Sequence, residues 1–143
     1  MPRHLKSNYS FTVEWGGTGI SFIEVSGLNI IVDVNEYRDG NDPAQVSHKM
    51  PGHTHYSNIV LKRAIVKGNN DFFVWMSTTN LNTVERRDIV IKLLNEKRKP
   101  VIAWRAIHAF PVRYSVPALN ATSNDVVIEE LELAHEGLLI DSD

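Results

Sequence analysis

Phe11, Val13 and Trp15 alternate with Ser10, Thr12 and Glu14. A period of two suits a strand with one buried face, because successive side chains leave a strand on opposite sides. Gly16-Gly17-Thr18-Gly19 then supplies residues that tolerate a positive φ and predicts a turn. Ile20 and Phe22 resume the alternation, yet Ile23 and Val25 carry it one position out of step. A β-bulge absorbs such a slip, and so does a strand covered on both faces. Beyond Ser26-Gly27, positions 29–37 are β-branched and again strand-like.

Over 38–57 the pattern breaks. Asp39-Gly40-Asn41-Asp42-Pro43 and Met50-Pro51-Gly52 are turn formers, and His48, His53 and His55, three of the chain's six histidines, fall between or just after them. Connections in compact domains run to about 4–6 residues, so an irregular stretch of this length is expected to be functional or ordered by a partner. It also carries Met50 and Tyr56, apolar groups that a solvated loop would leave wet. The segment 38–57 is therefore expected to project from the domain and dock on another subunit.

Strand character returns over 59–66 and ends at Gly68-Asn69-Asn70. Asp71 is placed to cap a short helix reaching about residue 79, with Phe72, Trp75 and Met76 on one face. Ile89, Ile91 and Leu93 alternate, the turn-like run from Asn95 to Pro100 intervenes, and 101–110 completes a hairpin. Val84, Ile91 and Leu94 also fit a helical stripe over 83–95, but the β-branched run favours the strand. Pro111 and Pro117 bracket an irregular passage, 126–135 is a last strand, and 141–143 an exposed acidic tail. About seven strands, one short helix and no βαβ alternation predict a mainly β fold, a single antiparallel β-barrel or sandwich with one short flanking helix. The stretches 30–34 and 101–107 are apolar on both faces, more than one barrel interior covers, so the second face needs cover from a helix or a neighbouring subunit.

Composition narrows the function classes. A chain of 143 residues has room for one sizeable core, so 1–143 is one domain, with 1–8 as an N-terminal arm. Its 43% hydrophobic and 22% charged residues are ordinary globular usage, and a net charge of −2 argues against a general nucleic-acid binder. The absence of cysteine removes disulfides, thiolate metal sites and cysteine nucleophiles together. No apolar run approaches the roughly 20 residues of a membrane span, and the basic start Met1-Pro2-Arg3-His4-Leu5-Lys6 leads into no signal-peptide core. A chain made in the cytoplasm, without membrane insertion, is expected.

Candidate chemistry is sparse. His53-Thr54-His55 puts two imidazoles on one side of an extended segment and could begin a zinc or copper site, but spacing offers no third ligand. Glu129, Glu130, Glu132 and Glu136 cluster near the last strand, where Glu130 and Glu132 share a face. Paired carboxylates can do acid–base work, although strand carboxylates facing water or an arginine are far commoner. Lys97-Arg98-Lys99 and Arg86-Arg87-Asp88 read as solvated charge runs. No G-x-S-x-G or phosphate-cradling loop occurs, and Asn8-Tyr9-Ser10 and Asn120-Ala121-Thr122 match a glycosylation sequon without a secretory signal. No catalytic residue, metal or cofactor is expected.

The ordered set of segments is more telling than any one motif. It runs Phe11-Thr12-Val13-Glu14, Ser21-Phe22-Ile23-Glu24-Val25-Ser26-Gly27-Leu28, Glu36-Tyr37-Arg38-Asp39-Gly40, Lys49-Met50-Pro51-Gly52 and Ile59-Val60-Leu61-Lys62-Arg63. Phe73-Val74-Trp75, Arg86-Arg87-Asp88-Ile89, Ala109-Phe110-Pro111 and the stretch 124–135 complete it. In that order and spacing the chain resembles the tail-tube proteins of contractile phages and of phage-tail-like contractile injection systems, a family similar in fold to the Hcp tube of type VI secretion. The resemblance spans roughly residues 9–140.

The resemblance implies a barrel subunit forming homohexameric rings that stack into a hollow tube inside a contractile sheath. The family has no catalytic residues to carry over, so no enzyme activity is expected. The implied partners are further copies of the chain, the sheath protein, baseplate or spike proteins, tube-terminating proteins and protein cargo in the lumen. The implied setting is an assembled injection particle or virion tail, made in the bacterial cytoplasm. Tyr37, Arg38, Asp39, Gly40, Met50, Pro51, Gly52 and Tyr56 are the expected subunit interface. The rivals are a baseplate tube-initiator paralogue, a monomeric β-sandwich binding module, and a small metal-dependent enzyme using His53, His55 and Glu130.

Overall fold

A computed structural model describes residues 9–17, 21–38, 40–41, 47–81, 84–122 and 126–141. Among them run the strands β1 (Ser10–Glu14), β2 (Phe22–Ser26), β3 (Ile30–Arg38), β4 (Ser47–Tyr56) and β5 (Ile59–Ala64). A helix α1 (Asp71–Ser77) with a 3-10 turn (Thr78–Leu81) follows, and then β6 (Arg87–Leu94), β7 (Pro100–Ser115), β8 (Ile128–Ala134) and β9 (Gly137–Asp141). Seven strands make one antiparallel sheet in the order β1-β6-β7-β8-β5-β2, with β9 also beside β7, whereas β3 and β4 pair only with each other.

The long β7 makes the sheet curl. Its first part pairs with β6 and β9, from Pro100 opposite Leu94 to Ala109 opposite Arg87, and its last part pairs with β8. Between the two, His108 takes a φ of 51°, opposite a register shift between Arg87 and Ile89. The corner is pinned by polar contacts: the His108 N–H donates to Asp88 Oδ1 at 3.0 Å, and the Glu136 N–H to the Ile107 carbonyl at 2.8 Å. A strand that bends at a bulge carries the sheet over onto itself, so both halves enclose one core. β1 and β2 end the sheet unpaired with each other, so the barrel is open along that line.

The core follows the period-two pattern. β5 and β8 alternate strictly, sending Ile59, Leu61 and Arg63 inward beside Glu129, Leu131 and Leu133. Phe72 and Trp75 of α1 are fully buried and close one side, with Trp15 edge-on to Phe72 at 5.1 Å and tilted against Trp75 at 5.9 Å. The indole N–H of Trp75 donates to the Glu85 carbonyl at 2.8 Å, so its polar atom is satisfied. The cap differs from expectation: Asp71 is the first helical residue, Asn70 stands at the N-cap without a side-chain capping bond, and Asn69 Oδ1 accepts from the Asp71 N–H at 3.1 Å.

Other expectations are met or corrected. A bulge between Phe22 and Glu24 absorbs the slip in β2, and where a helix over 83–95 competed, Arg87–Leu94 is a hairpin strand. No irregular passage begins at Pro111: β7 runs through it to Ser115, with a register shift between Pro111 and Arg113 where the missing proline N–H is tolerated. β9 was not anticipated, and Asp141 ends that strand instead of opening a tail. The largest correction is that the irregular loop expected over 38–57 is mostly strand, namely β4. The N-terminal arm 1–8, Ile20, Asp39, Asp42, Pro43 and residues 142–143 lie outside the described residues.

Candidate assembly surface

The β-branched run Ile30-Ile31-Val32 favours a strand, and β4 returns along it despite two turn formers. The register runs from Ile30 opposite Tyr56 to Arg38 opposite Ser47. Between Val32/Thr54 and Val34/Pro51, β4 advances three positions while β3 advances two. Pro51 and Gly52 therefore sit at a bulge, where a missing N–H and a missing Cβ cost little. A Cβ on Gly52 would lie only 3.2 Å from the Asp33 carbonyl oxygen.

The resulting arm is bare. All nine residues of β3 are exposed, Val34 at 60% and Tyr37 at 51%, and Met50 of β4 is 52% exposed. Ile30, Val32 and Val34 share one face by strand alternation, and Ile31 and Tyr37 the other, so neither face is polar throughout. Its internal contacts are themselves exposed: His55 Nε2 to Asp33 Oδ1 at 2.9 Å, Lys49 to Glu36 at 4.0 Å, and Tyr37 stacked on His48 at 5.3 Å. Exposed pairs contribute about 0–1 kcal/mol, and an isolated two-stranded hairpin is marginal in water. Apart from their pairing with each other, the arm strands come nearest to the barrel strands at β9.

The root is held firmly. Tyr56 packs against the core and lies 5.4 Å from the His135 ring. Asn29 Nδ2–H donates to Ser57 Oγ at 3.1 Å, and the His135 ring nitrogens lie 3.0 Å from the carbonyl oxygens of Ser57 and Gly137.

The expected interface residues thus divide. Tyr37, Arg38, Met50 and Pro51 are exposed along the arm and Gly40 at its tip, while Gly52 is half-buried in the bulge. Tyr56 belongs to the root, and Asp39 lies outside the described residues. Of the two stretches apolar on both faces, 30–34 is uncovered, whereas 101–107 is partly covered, with Ala106 buried and β9 alongside. Phe73 and Val74 on the outer side of α1, and Leu139 and Ile140 on β9, add further exposed apolar surface.

The chemical candidates resolve into structural contacts. His55 is engaged by Asp33, and among the described residues no three His, Cys, Asp or Glu gather as metal ligands would. Glu132, on the outer face of β8, accepts from Asn58 Nδ2–H at 2.8 Å and faces Arg113 at 3.9 Å. Glu136 bridges His108 at 2.9 Å and Arg86 at 3.1 Å. The His108 hydrogen bond first, and the Arg86 charge after it, hold its carboxyl below the usual range.

Sequence reasoning missed one site entirely. Arg63 Nε–H donates to Glu129 Oε2 at 2.8 Å inside the core, both side chains being buried. The Tyr114 hydroxyl donates to the other carboxylate oxygen at 2.8 Å, and the guanidinium lies 3.7 Å from the Phe72 ring centroid and 5.3 Å from that of Trp15. Burial first, and then Glu129, push the Tyr114 phenol up to about 12. The only available signal was that Arg63 and Glu129 fall on the inward phase of their strands, 66 residues apart.

Set beside known proteins, the chain matches the family described as T4-like virus tail tube protein gp19 over residues 7–139. A chain in the sheath–tube complex of an extracellular contractile injection system, PVC, in its extended state is 35% identical. The match covers 95% of this chain and 90% of that one, with a TM-score of 0.84. A chain in the tube-terminating cap of the anti-feeding prophage is 32% identical over 100% and 95% of the two chains, with a TM-score of 0.87. Hcp1 from Flavobacterium johnsoniae shares the fold at 16% identity and a TM-score of 0.62, over 94% and 96%. Among curated proteins none matches. No described helix is long and apolar enough to cross a membrane.

Proposed function

The chain belongs to the T4-like tail tube family and is a structural tube subunit, and from that premise we propose that it closes into hexameric rings which stack into the inner conduit of a contractile injection system or phage tail. One observation carries the mode of assembly: the β3–β4 arm exposes apolar side chains on both faces and, among the described residues, is paired with no barrel strand. Contiguous exposed apolar surface of this kind marks an interaction site. An arm on one subunit meeting a different surface on the next is a heterologous contact, which closes into rings or propagates without limit. Tyr37, Arg38, Gly40, Met50 and Pro51 are the arm residues that reach the neighbouring subunit, around the ring or in the next ring, and Asp39 is included by its position between Arg38 and Gly40.

The partners follow from the same membership. A sheath protein surrounds the tube, baseplate and terminating proteins bound its ends, and protein cargo occupies the lumen. The PVC and anti-feeding prophage relatives, taken from a sheath–tube complex and a terminating cap, support this setting of an assembled particle. The tube body is favoured over a baseplate initiator by the 35% identity to the sheath–tube chain. No catalytic role is proposed.

Deleting residues 41–48 removes the arm's tip and the start of β4, and negative-stain imaging reads the product. Folded subunits or rings that no longer stack or close are the expected outcome. Normal tubes from the shortened protein would overturn the role given to the arm, and a wild-type chain that stays monomeric by light scattering at high concentration would overturn the ring itself.

A further inference from the structure

His135 stands at the root of the arm, beside Ser57. Its Nε2 lies 3.0 Å from the Ser57 carbonyl oxygen, just past the end of β4, and its Nδ1 lies 3.0 Å from the Gly137 carbonyl oxygen, at the start of β9. A carbonyl oxygen accepts and never donates. A neutral imidazole carries a single N–H, so it satisfies one of these oxygens and turns a lone pair toward the other. Only the imidazolium donates to both.

We propose that His135 is a proton-operated clamp on the arm root. Protonated, it ties the β4–β5 junction to the β8–β9 junction and fixes the angle at which the arm leaves the barrel. Neutral, it has one N–H for two oxygens: with the proton on Nδ1 it keeps only the Gly137 contact inside its own junction, the Ser57 tie is lost, and the arm gains freedom about Ser57. No carboxylate among the described residues pairs with the ring. From β4 the ring meets Tyr56, from the junction the Ser57 carbonyl, and from β9 the Gly137 carbonyl. On its own side, Glu132 is taken by Asn58 and Arg113, and Glu136 by His108 and Arg86. Lower pH therefore stiffens the arm and higher pH loosens it. The consequence for ring stacking rests on the docking role given to the arm above; the clamp itself does not.

The test uses the full-length chain as free subunits, so that tube formation is not the readout. Amide exchange of β3 and β4, corrected for intrinsic rates, is compared at about pH 5.5 and about pH 7.5, which bracket the ordinary imidazole range. Arm protection is expected to rise on acidification by roughly two- to tenfold, the factor for one added hydrogen bond. His135→Gln keeps one donor and should abolish the rise, whereas His55→Gln, which removes the arm's own pair with Asp33, should leave most of it. Equal pH dependence in His135→Gln and wild type would overturn the clamp, as would its loss in His55→Gln alone. Should His135→Gln fail to fold, ring 15N spectra of the wild type decide. Two slowly exchanging ring N–H protons at acid pH support the clamp, and exchange as fast as in free histidine refutes it.

Discussion

β5 and β3 are both rich in β-branched and aliphatic residues, and they meet opposite fates. β5 lies between β2 and β8, and Ile59, Leu61 and Arg63 on its inner side are fully buried. β3 has β4 alone beside it, and none of its residues is buried. So a guanidinium sits in the core while Val34 faces solvent. Arg63 is accommodated because Glu129, Phe72 and Trp15 stand in for much of its water, although its Nη1 has no hydrogen-bond partner among the described residues, whereas Val34 remains 60% exposed. Burial is thus a property of which surfaces meet, and among the described residues the arm strands pair only with each other.

The contrast breaks most sharply at the core. Trp75→Ala should cost about 3–5 kcal/mol in chemical denaturation. Val34→Lys with Met50→Glu on the arm should stay within about 0.5 kcal/mol while abolishing tubes in micrographs. If the tryptophan variant melts like wild type, or the arm variant unfolds the subunit, the division between barrel and arm is wrong. Next comes Arg63→Met, which strands the Glu129 carboxylate and should cost about 3–5 kcal/mol at neutral pH. Adding Glu129→Leu should recover most of that loss, and a double variant no better than the single would refute the uncompensated-charge account.

Smaller effects sharpen the same picture. Tyr114→Phe leaves one Glu129 oxygen unsatisfied, at about 1–3 kcal/mol. Since burial raises the folded phenol to about 12, its contribution is full below the ordinary value of about 10 and fades as pH climbs through the folded one. Ultraviolet titration of wild type against Tyr114→Phe should show a phenolate missing from the ordinary range. Smallest is Glu136, whose lowered carboxyl supports the β7 corner above the usual carboxylate range and loses that contribution as pH falls through its folded value. Glu136→Gln should flatten the acid limb of stability slightly, and high salt should do the same to wild type because the group is exposed.

How much was legible depends on the range of the cause. Period-two alternation at Phe11, Val13 and Trp15, and at Ile89 and Ile91, reported which side chains share a face, and the spacing of Phe72, Trp75 and Met76 reported the helix face. Those are consequences of local backbone geometry, and they hold in the structure. The order of short segments also carried the family, since strand count and turn placement are written along the chain. β4 was hidden because Pro51 and Gly52 are turn formers by local rule, and only the register with β3 makes them a bulge. β9 was hidden because Leu138, Leu139 and Ile140 are too short a run to announce themselves without β7 beside them.

By itself, then, the sequence determined a β-rich, single-helix domain with one segment unlike the rest in pattern, because residue spacing dictates faces and turns. The tertiary structure alone decided that this segment is a rooted two-stranded arm, that Arg63 meets Glu129 inside the core, and that the 30–34 stretch is bare while 101–107 is partly covered. The physical reason is that pairing and burial join residues far apart in the chain, and local pattern carries no record of which distant surface arrives.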